Sequence, residues 1–206
     1  MVFFLHHVTR LLETNSYVRC LLIDLSKAFD VVDNGILAAK LTGLNMPPAI
    51  LSWIFSFLTG RTQQVKHGFH LSSPKLINRG IVQGSGLGTT LYIIMEDDLR
   101  ATNTNILFKY ADDTNRLVPK ISDVDINDEF NNVLAEHNRM IVNLRKTNEI
   151  VFHKPSARYS LPSLVTGIEQ VVSAKWLGVT FSPVLCKILL KSILKIQDED
   201  TEKKVS

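Results

Sequence analysis

Ile106-Leu107-Phe108-Lys109-Tyr110-Ala111-Asp112-Asp113-Thr114-Asn115-Arg116-Leu117-Val118-Pro119 is the stretch that decides how this chain folds. Apolar runs flank Tyr110-Ala111-Asp112-Asp113, so the segment reads as a strand over about 106–110, a tight turn and a return strand to 118. Adjacent carboxylates at a hairpin tip repel each other unless a cation lies between them. Hard divalent cations take oxygen ligands, and Mg²⁺ leaves much of its coordination to phosphate and water. The turn therefore suits a metal held against a phosphorylated ligand. Taken alone, the same pair is also compatible with an ordinary solvated turn, because Asp forms turn hydrogen bonds of its own.

A metal site needs a further ligand, and Arg19-Cys20-Leu21-Leu22-Ile23-Asp24 offers one, an apolar strand ending in a carboxylate. Ser26-Lys27-Ala28-Phe29 follows with helix-compatible residues. Asp24 then either presents a ligand at the edge of a sheet or caps the next helix.

Five stretches carry a family resemblance. Leu22-Ile23-Asp24-Leu25-Ser26-Lys27-Ala28-Phe29-Asp30-Val31-Val32-Asp33 resembles the first catalytic motif of reverse transcriptases from LINE-type (non-LTR) retrotransposons. Arg79-Gly80-Ile81-Val82-Gln83-Gly84-Ser85-Gly86-Leu87-Gly88 is similar to their second motif, and Tyr110 to Asp113 to their third. Asn143-Leu144-Arg145-Lys146-Thr147 with Glu149 and Phe152 resembles the fourth, and Trp176-Leu177-Gly178 the fifth. They occur in the family's order and cover about residues 3–183. Five ordered motifs are specific where one alone is weak.

The resemblance implies an α+β polymerase palm, a small antiparallel sheet with helices packed on one face. It implies an RNA-directed DNA polymerase, a nucleotidyltransferase working on an RNA template, a DNA primer and deoxynucleoside triphosphates. Two Mg²⁺ ions, with Mn²⁺ as a possible substitute, would be held by Asp24, Asp112, Asp113 and the carbonyl of Leu25. Lys146 would act on the leaving pyrophosphate. Phe29, Gln83 and Gly84 would bind the nucleotide, and Trp176, Leu177 and Gly178 would grip the primer. The palm would occupy residues 1–183, with 184–206 a divergent tail of a helix and then a charged end. The rest of a retrotransposon polyprotein would be a partner, in the nucleus or cytoplasm. The family's pattern is broken at Thr89, Arg116 and Arg145, and its upstream fingers motifs and its thumb are not recognisable. The alternative is therefore an inactive retrotransposon-derived fragment that survives as a folding remnant or interaction module.

Composition agrees without pointing to this function. A chain of 206 residues, 45% hydrophobic and 21% charged, has room for one core. A net charge of +3 is short of the basic excess that announces nucleic-acid binding. Cys20 and Cys186 lie far apart, which argues against zinc and disulfide frameworks, and Cys20 suits plain packing. Val2-Phe3-Phe4-Leu5 is too short for a signal-peptide core, no apolar run approaches a membrane span, and a soluble chain without membrane partners is expected.

Periodicity predicts helices over 3–15, 35–42, 48–58, 89–100 and 126–142, strands over 18–24 and 149–153, and a hairpin around 171–181. A second hairpin is expected from 63–69 and 75–79, turning near Ser72-Ser73-Pro74. Ile50, Leu51, Ile54, Phe57 and Leu58 are expected to pack on the sheet, with Trp53 in the core. Asp97-Asp98 reads as a solvated helix face, and Arg61 and Lys66 as solvated or touching phosphate.

Overall fold

The computed structural model describes residues 1–100, 105–122, 125–136, 139–155, 158, 160 and 162–184. In chain order the elements begin with α1 (Val2–Thr14), β1 (Tyr17–Ile23), α2 (Asn34–Thr42), α3 (Pro48–Leu58), β2 (Thr62–Gln63), β3 (Lys66–His67), β4 (His70–Leu71) and β5 (Lys75–Leu76). They continue with α4 (Gly86–Met95), β6 (Ile106–Tyr110), β7 (Asp113–Pro119), α5 (Ile126–Glu136), β8 (Asn148–His153), β9 (Glu169–Gln170), β10 (Ala174–Trp176) and β11 (Val179–Phe181). Two compact units result: one holds α1, β1, β6 to β11 and the first part of α5, the other α2 to α4 and β2 to β5.

The first unit is built on a five-stranded sheet in the order β6-β7-β1-β8-β9. Three pairings are antiparallel, and β8 with β9 is parallel, so the sheet is antiparallel-rich and not purely antiparallel. Cys20 of β1 sits opposite both Leu117 and Ile150. Because side chains alternate along a strand, Val18, Cys20, Leu117, Ile150 and Phe152 share one face. Phe4, Leu5, Val8 and Leu12 of α1 recur at helical spacing and cover it. Phe4 packs against Phe108, Phe152, Trp176 and Phe181, with ring centroids 4.9–6.2 Å apart. A fully buried side chain of this kind contributes about 1.5–3 kcal/mol through its area alone. Cys20 is buried within this core, as expected for plain packing, and burial drives its thiol pKa well above the usual value.

The other face of that sheet carries charge. Arg116, opposite Leu21, is fully buried, and its guanidinium donates to the equally buried Glu129 of α5. Arg19 on the same face pairs with buried Glu149, which also accepts from Gln170 at 3.1 Å. Helices therefore lie on both faces, α1 on one and α5 on the other, which corrects the expectation of one-sided packing. The physical reason is Arg116: a buried cation must have its counter-charge, and α5 supplies it. Arg116 is accordingly an integrated residue and not a disturbance.

The second unit begins with turns. Residues 26–30 form no helix, and Lys27 has φ 51°, so Asp24 does not cap one. The capping residue is Asp33, whose carboxylate accepts from the N–H groups of Gly35 and Ile36 at the start of α2. α2 packs on α3 and α4. Of the apolar stripe on α3, Ile54 and Leu58 are buried, but Ile50 is exposed. Trp53 is 60% exposed and stacks on Phe57, not in the core as expected. α4 starts at Gly86 and ends at Met95, earlier at both ends than its periodicity predicts, because Ser85 caps it by accepting from the Gly88 N–H at 2.9 Å. Asp97 and Asp98 lie beyond that helix; both are exposed, and Asp98 pairs with Lys40 at 2.6 Å.

The second hairpin also differs from expectation. Thr62 and Gln63 pair with Leu76 and Lys75, while an inner ladder pairs Lys66 with Leu71 and His67 with His70. Its tip is thus Gly68-Phe69, where Gly68 supplies φ 58°, and Ser72-Ser73-Pro74 lies on the return. α5 ends by Glu136. The tail beyond Val184, with Cys186, lies outside the described residues.

Candidate active site

The site grows from the ends of β1 and β7. Thr114 pairs with Ile23, so the next step outward sets Asp113 beside Asp24. Asp24 is anchored through its backbone. Its N–H donates to the Thr147 hydroxyl at 3.2 Å, and its carbonyl accepts from the Asn143 N–H at 2.8 Å. The Asn143 carbonyl in turn accepts from Lys146 and Thr147, at 3.1 and 2.9 Å. The turn over residues 143–147 therefore clamps Asp24 before entering β8. Asn143 and Thr147 fall within the stretch that resembles the fourth motif, but the sequence gives a role only to Lys146, because a backbone clamp leaves no pattern in side-chain type.

On the hairpin, Tyr110 pairs with Asp113, leaving Ala111-Asp112 as a two-residue turn. Ala111 holds φ 52°, a conformation that an L-residue adopts at a cost and that sites under functional constraint retain. Asp24, Asp113, Asn115, Lys146, Asn148 and Trp176 open on one cleft of about 330 Å³. Asp112 is exposed at the turn, Asp113 is half-buried, and Lys146 is exposed. Among the described residues, no three His, Cys, Asp or Glu side chains come together as a group that could hold a metal ion, so the expected gathering of Asp24, Asp112 and Asp113 is not seen.

Electrostatics favour a cation here. Burial raises the pKa of Asp113 above the usual carboxylate range, and the negative charges of Asp112 and Asp24 raise it further. The side chain of Trp176 opposes this by favouring the ionised form. Trp176 Nε1 is buried, and Trp176 lines the same cleft as Asp113. Trp176 itself is held by its place in the aromatic core and by the β10–β11 turn, where Leu177 and Gly178 both have positive φ, 47° and 80°. Two turn residues in that region match the twist of the flanking strands.

The donor set fits a hard divalent ion. Mg²⁺ needs only one or two protein carboxylates, the rest coming from phosphate and water, and Asp24 and Asp113 supply hard oxygens on a shared opening. Leu25 follows Asp24 directly, with its side chain buried.

The remaining expected site residues belong to the second unit. Phe29 is half-buried and stacks on Tyr92, centroids 4.7 Å apart at 21°, while the Tyr92 hydroxyl donates to Glu96 at 2.8 Å. Ile81 N–H donates to the Phe29 carbonyl at 2.9 Å. At Gly80 a side chain would meet the Asp30 carbonyl at 2.7 Å, and at Gly88 it would meet the Val82 carbonyl at 2.3 Å, so both close approaches require glycine. Gln83 and Gly84 are exposed on this glycine-bound loop.

The family described as reverse transcriptase (RNA-dependent DNA polymerase) matches residues 5–181. Over 112 residues the chain is 35% identical to the RNA-directed DNA polymerase from mobile element jockey of Drosophila melanogaster, covering 50% of this chain and 12% of that protein. Over 110 residues it is 34% identical to the jockey polymerase of Drosophila funebris, again covering 50% of this chain and 12% of that protein. The chain thus spans only a small part of the length of these curated relatives. Among the described residues no helix is long and apolar enough to cross a membrane.

Proposed function

The chain belongs to the reverse transcriptase (RNA-dependent DNA polymerase) family, of the non-LTR mobile-element type, and from that premise we propose that it is the palm of an RNA-directed DNA polymerase within a longer polypeptide. The substrates are an RNA template, a DNA primer and deoxynucleoside triphosphates. The observation that carries this reading is the cleft where Asp24 and Asp113, from two adjacent strand ends, meet Lys146.

Asp24, Asp112 and Asp113, with the Leu25 carbonyl, would hold divalent metal, two Mg²⁺ ions or Mn²⁺ in their place. Bound metal supplies charge neutralisation at phosphate and a more acidic attacking hydroxyl. The 143–147 clamp holds Asp24 in place, which limits the motion of one ligand during the reaction. Lys146 neutralises, and can protonate, the departing pyrophosphate. Phe29, braced by Tyr92, forms the floor under the sugar and excludes a 2′-hydroxyl. Gln83 and Gly84 touch the incoming nucleotide or the template. Trp176, Leu177 and Gly178 grip the primer strand through their tight turn.

A primer-extension assay tests this. The chain alone is expected to synthesise little DNA, because the residues that align a triphosphate in the family's upstream motifs are not recognisable in it. Joined to the segment that precedes the matched region in a relative, it is expected to extend a primer on RNA with Mg²⁺. Asp24→Asn or Asp112→Asn should bring that synthesis to background. Synthesis indifferent to both substitutions overturns the site. No synthesis in any joined form favours the inactive-fragment alternative.

A further inference from the structure

Glu96 is a buried carboxylate that the chemistry above does not use. It is 3% exposed, and carboxylates are rarely buried unless a partner holds them. One partner is the fully buried Tyr92, whose hydroxyl donates to Glu96 Oε1 at 2.8 Å. A separation of four residues sets the two on one face at the C-terminal end of α4. The backbone of Glu96 is anchored as well. Its N–H donates to the Tyr92 carbonyl at 3.1 Å, and its carbonyl accepts from the Leu99 N–H at 3.0 Å.

Tyr92 passes this constraint on. A tyrosine ring turns about two side-chain torsions, and a bond to its hydroxyl fixes the far end of the ring. Phe29 stacks on that ring, centroids 4.7 Å apart at 21°. The backbone of Phe29 is tied separately, its carbonyl accepting from the Ile81 N–H at 2.9 Å. Packing alone does not require this arrangement. A phenylalanine at position 92 would fill the same space and stack in the same way. The hydroxyl bonded to a buried carboxylate is an added element, and it acts on the ring against which Phe29 lies. A side chain that excludes one hydroxyl group by contact must be held closely, since a displacement of about 1 Å is enough to lose such an effect.

We propose that Glu96 is a positioning residue for sugar discrimination: through the Tyr92 hydroxyl it fixes the ring on which Phe29 rests, and so sets how strongly a 2′-hydroxyl is excluded. This rests on the polymerase reading above, in which Phe29 lies under the sugar, and adds to it a residue that acts from behind that floor.

The test uses the purified chain with Mg²⁺. It measures the dissociation constants of dATP and ATP by equilibrium dialysis, and the ring resonances of Phe29 by NMR of the chain with labelled phenylalanine. The wild type should bind dATP more tightly than ATP, and Phe29→Ala should abolish that preference. Glu96→Leu should lower the preference about five-fold, the equivalent of one lost hydrogen bond. It should also move the Phe29 ring resonances, which the stacked Tyr92 ring shifts. Glu96→Gln keeps an acceptor for the hydroxyl and should hold most of the preference. If Glu96→Leu does not fold, Tyr92→Phe with Glu96→Leu removes both ends of the bond together and should show the same loss. A purely structural role would weaken dATP and ATP alike and leave their ratio at the wild-type value. That result, or a loss in Glu96→Gln equal to that in Glu96→Leu, overturns the proposal while leaving the polymerase reading in place. A preference that survives Phe29→Ala removes Phe29 from the sugar site, and with it both the proposal and that part of the reading. A wild type that binds neither nucleotide, or both equally, does the same.

Discussion

The five-stranded sheet and the arm formed by β2 to β5 treat their side chains in opposite ways. The sheet buries even its charges, with Arg19 on Glu149 and Arg116 on Glu129, and closes its other face with Phe4 and its aromatic neighbours. The arm exposes both its cations and its apolar groups. A buried pair is specified from within, because each charge demands the other. An exposed arm answers to nothing inside the molecule. Substitutions should then cost more stability in the sheet than in the arm.

The largest effect expected is from Glu129→Ala. Removing that carboxylate leaves the charge of Arg116 in the interior without its counter-ion and should cost about 3–5 kcal/mol in urea denaturation. Arg116→Leu combined with Glu129→Leu should recover most of that loss, since replacing both partners by apolar groups avoids the uncompensated charge. A small loss for Glu129→Ala alone would mean that the pair is hydrated in solution, and the contrast with the arm would weaken.

A middle-sized effect is expected at Asp33. Asp33→Ala removes the cap of α2 and should cost about 1 kcal/mol. The Asp33 carboxyl is held below its usual range, chiefly by the Ile36 N–H, with Arg139 and the Gly35 N–H adding to it. The folded state prefers the carboxylate, so this contribution is present above the ordinary Asp range and disappears as pH falls through the lowered folded value. The difference in stability between wild type and Asp33→Ala should accordingly shrink on acidification, and a constant difference would rule out the cap as its source.

Ala111→Gly tests local strain at the β6–β7 hairpin. With φ 52° at this position, glycine should gain about 1 kcal/mol in thermal or urea unfolding by removing the left-handed penalty. The smallest effect is expected in the arm itself, where Phe69→Ala should change stability by no more than about 0.5 kcal/mol. A loss of several kcal/mol there would show that the tip is packed in solution and that the two regions are alike.

Local chemistry was legible in the sequence. The turn at Ala111-Asp112, the strand ending at Asp24, α1 with its apolar stripe, and the β10–β11 turn follow from spacing and turn residues over a few positions. The family followed from five such stretches in order, and the match over residues 5–181 bears it out. These features depend on short-range sterics and period, which the chain carries along its length. Tertiary structure alone decided the rest. Whether Arg116 disturbs or supports the sheet depends on Glu129, which only folding brings to it. Whether Trp53 is core or surface depends on what covers α3, and whether Asp24 caps a helix depends on the turns at 26–30, while the clamp on its backbone comes from Asn143 and Thr147. Each of these is a contact between segments distant in sequence, and periodicity within one segment carries no information about which partner will cover it.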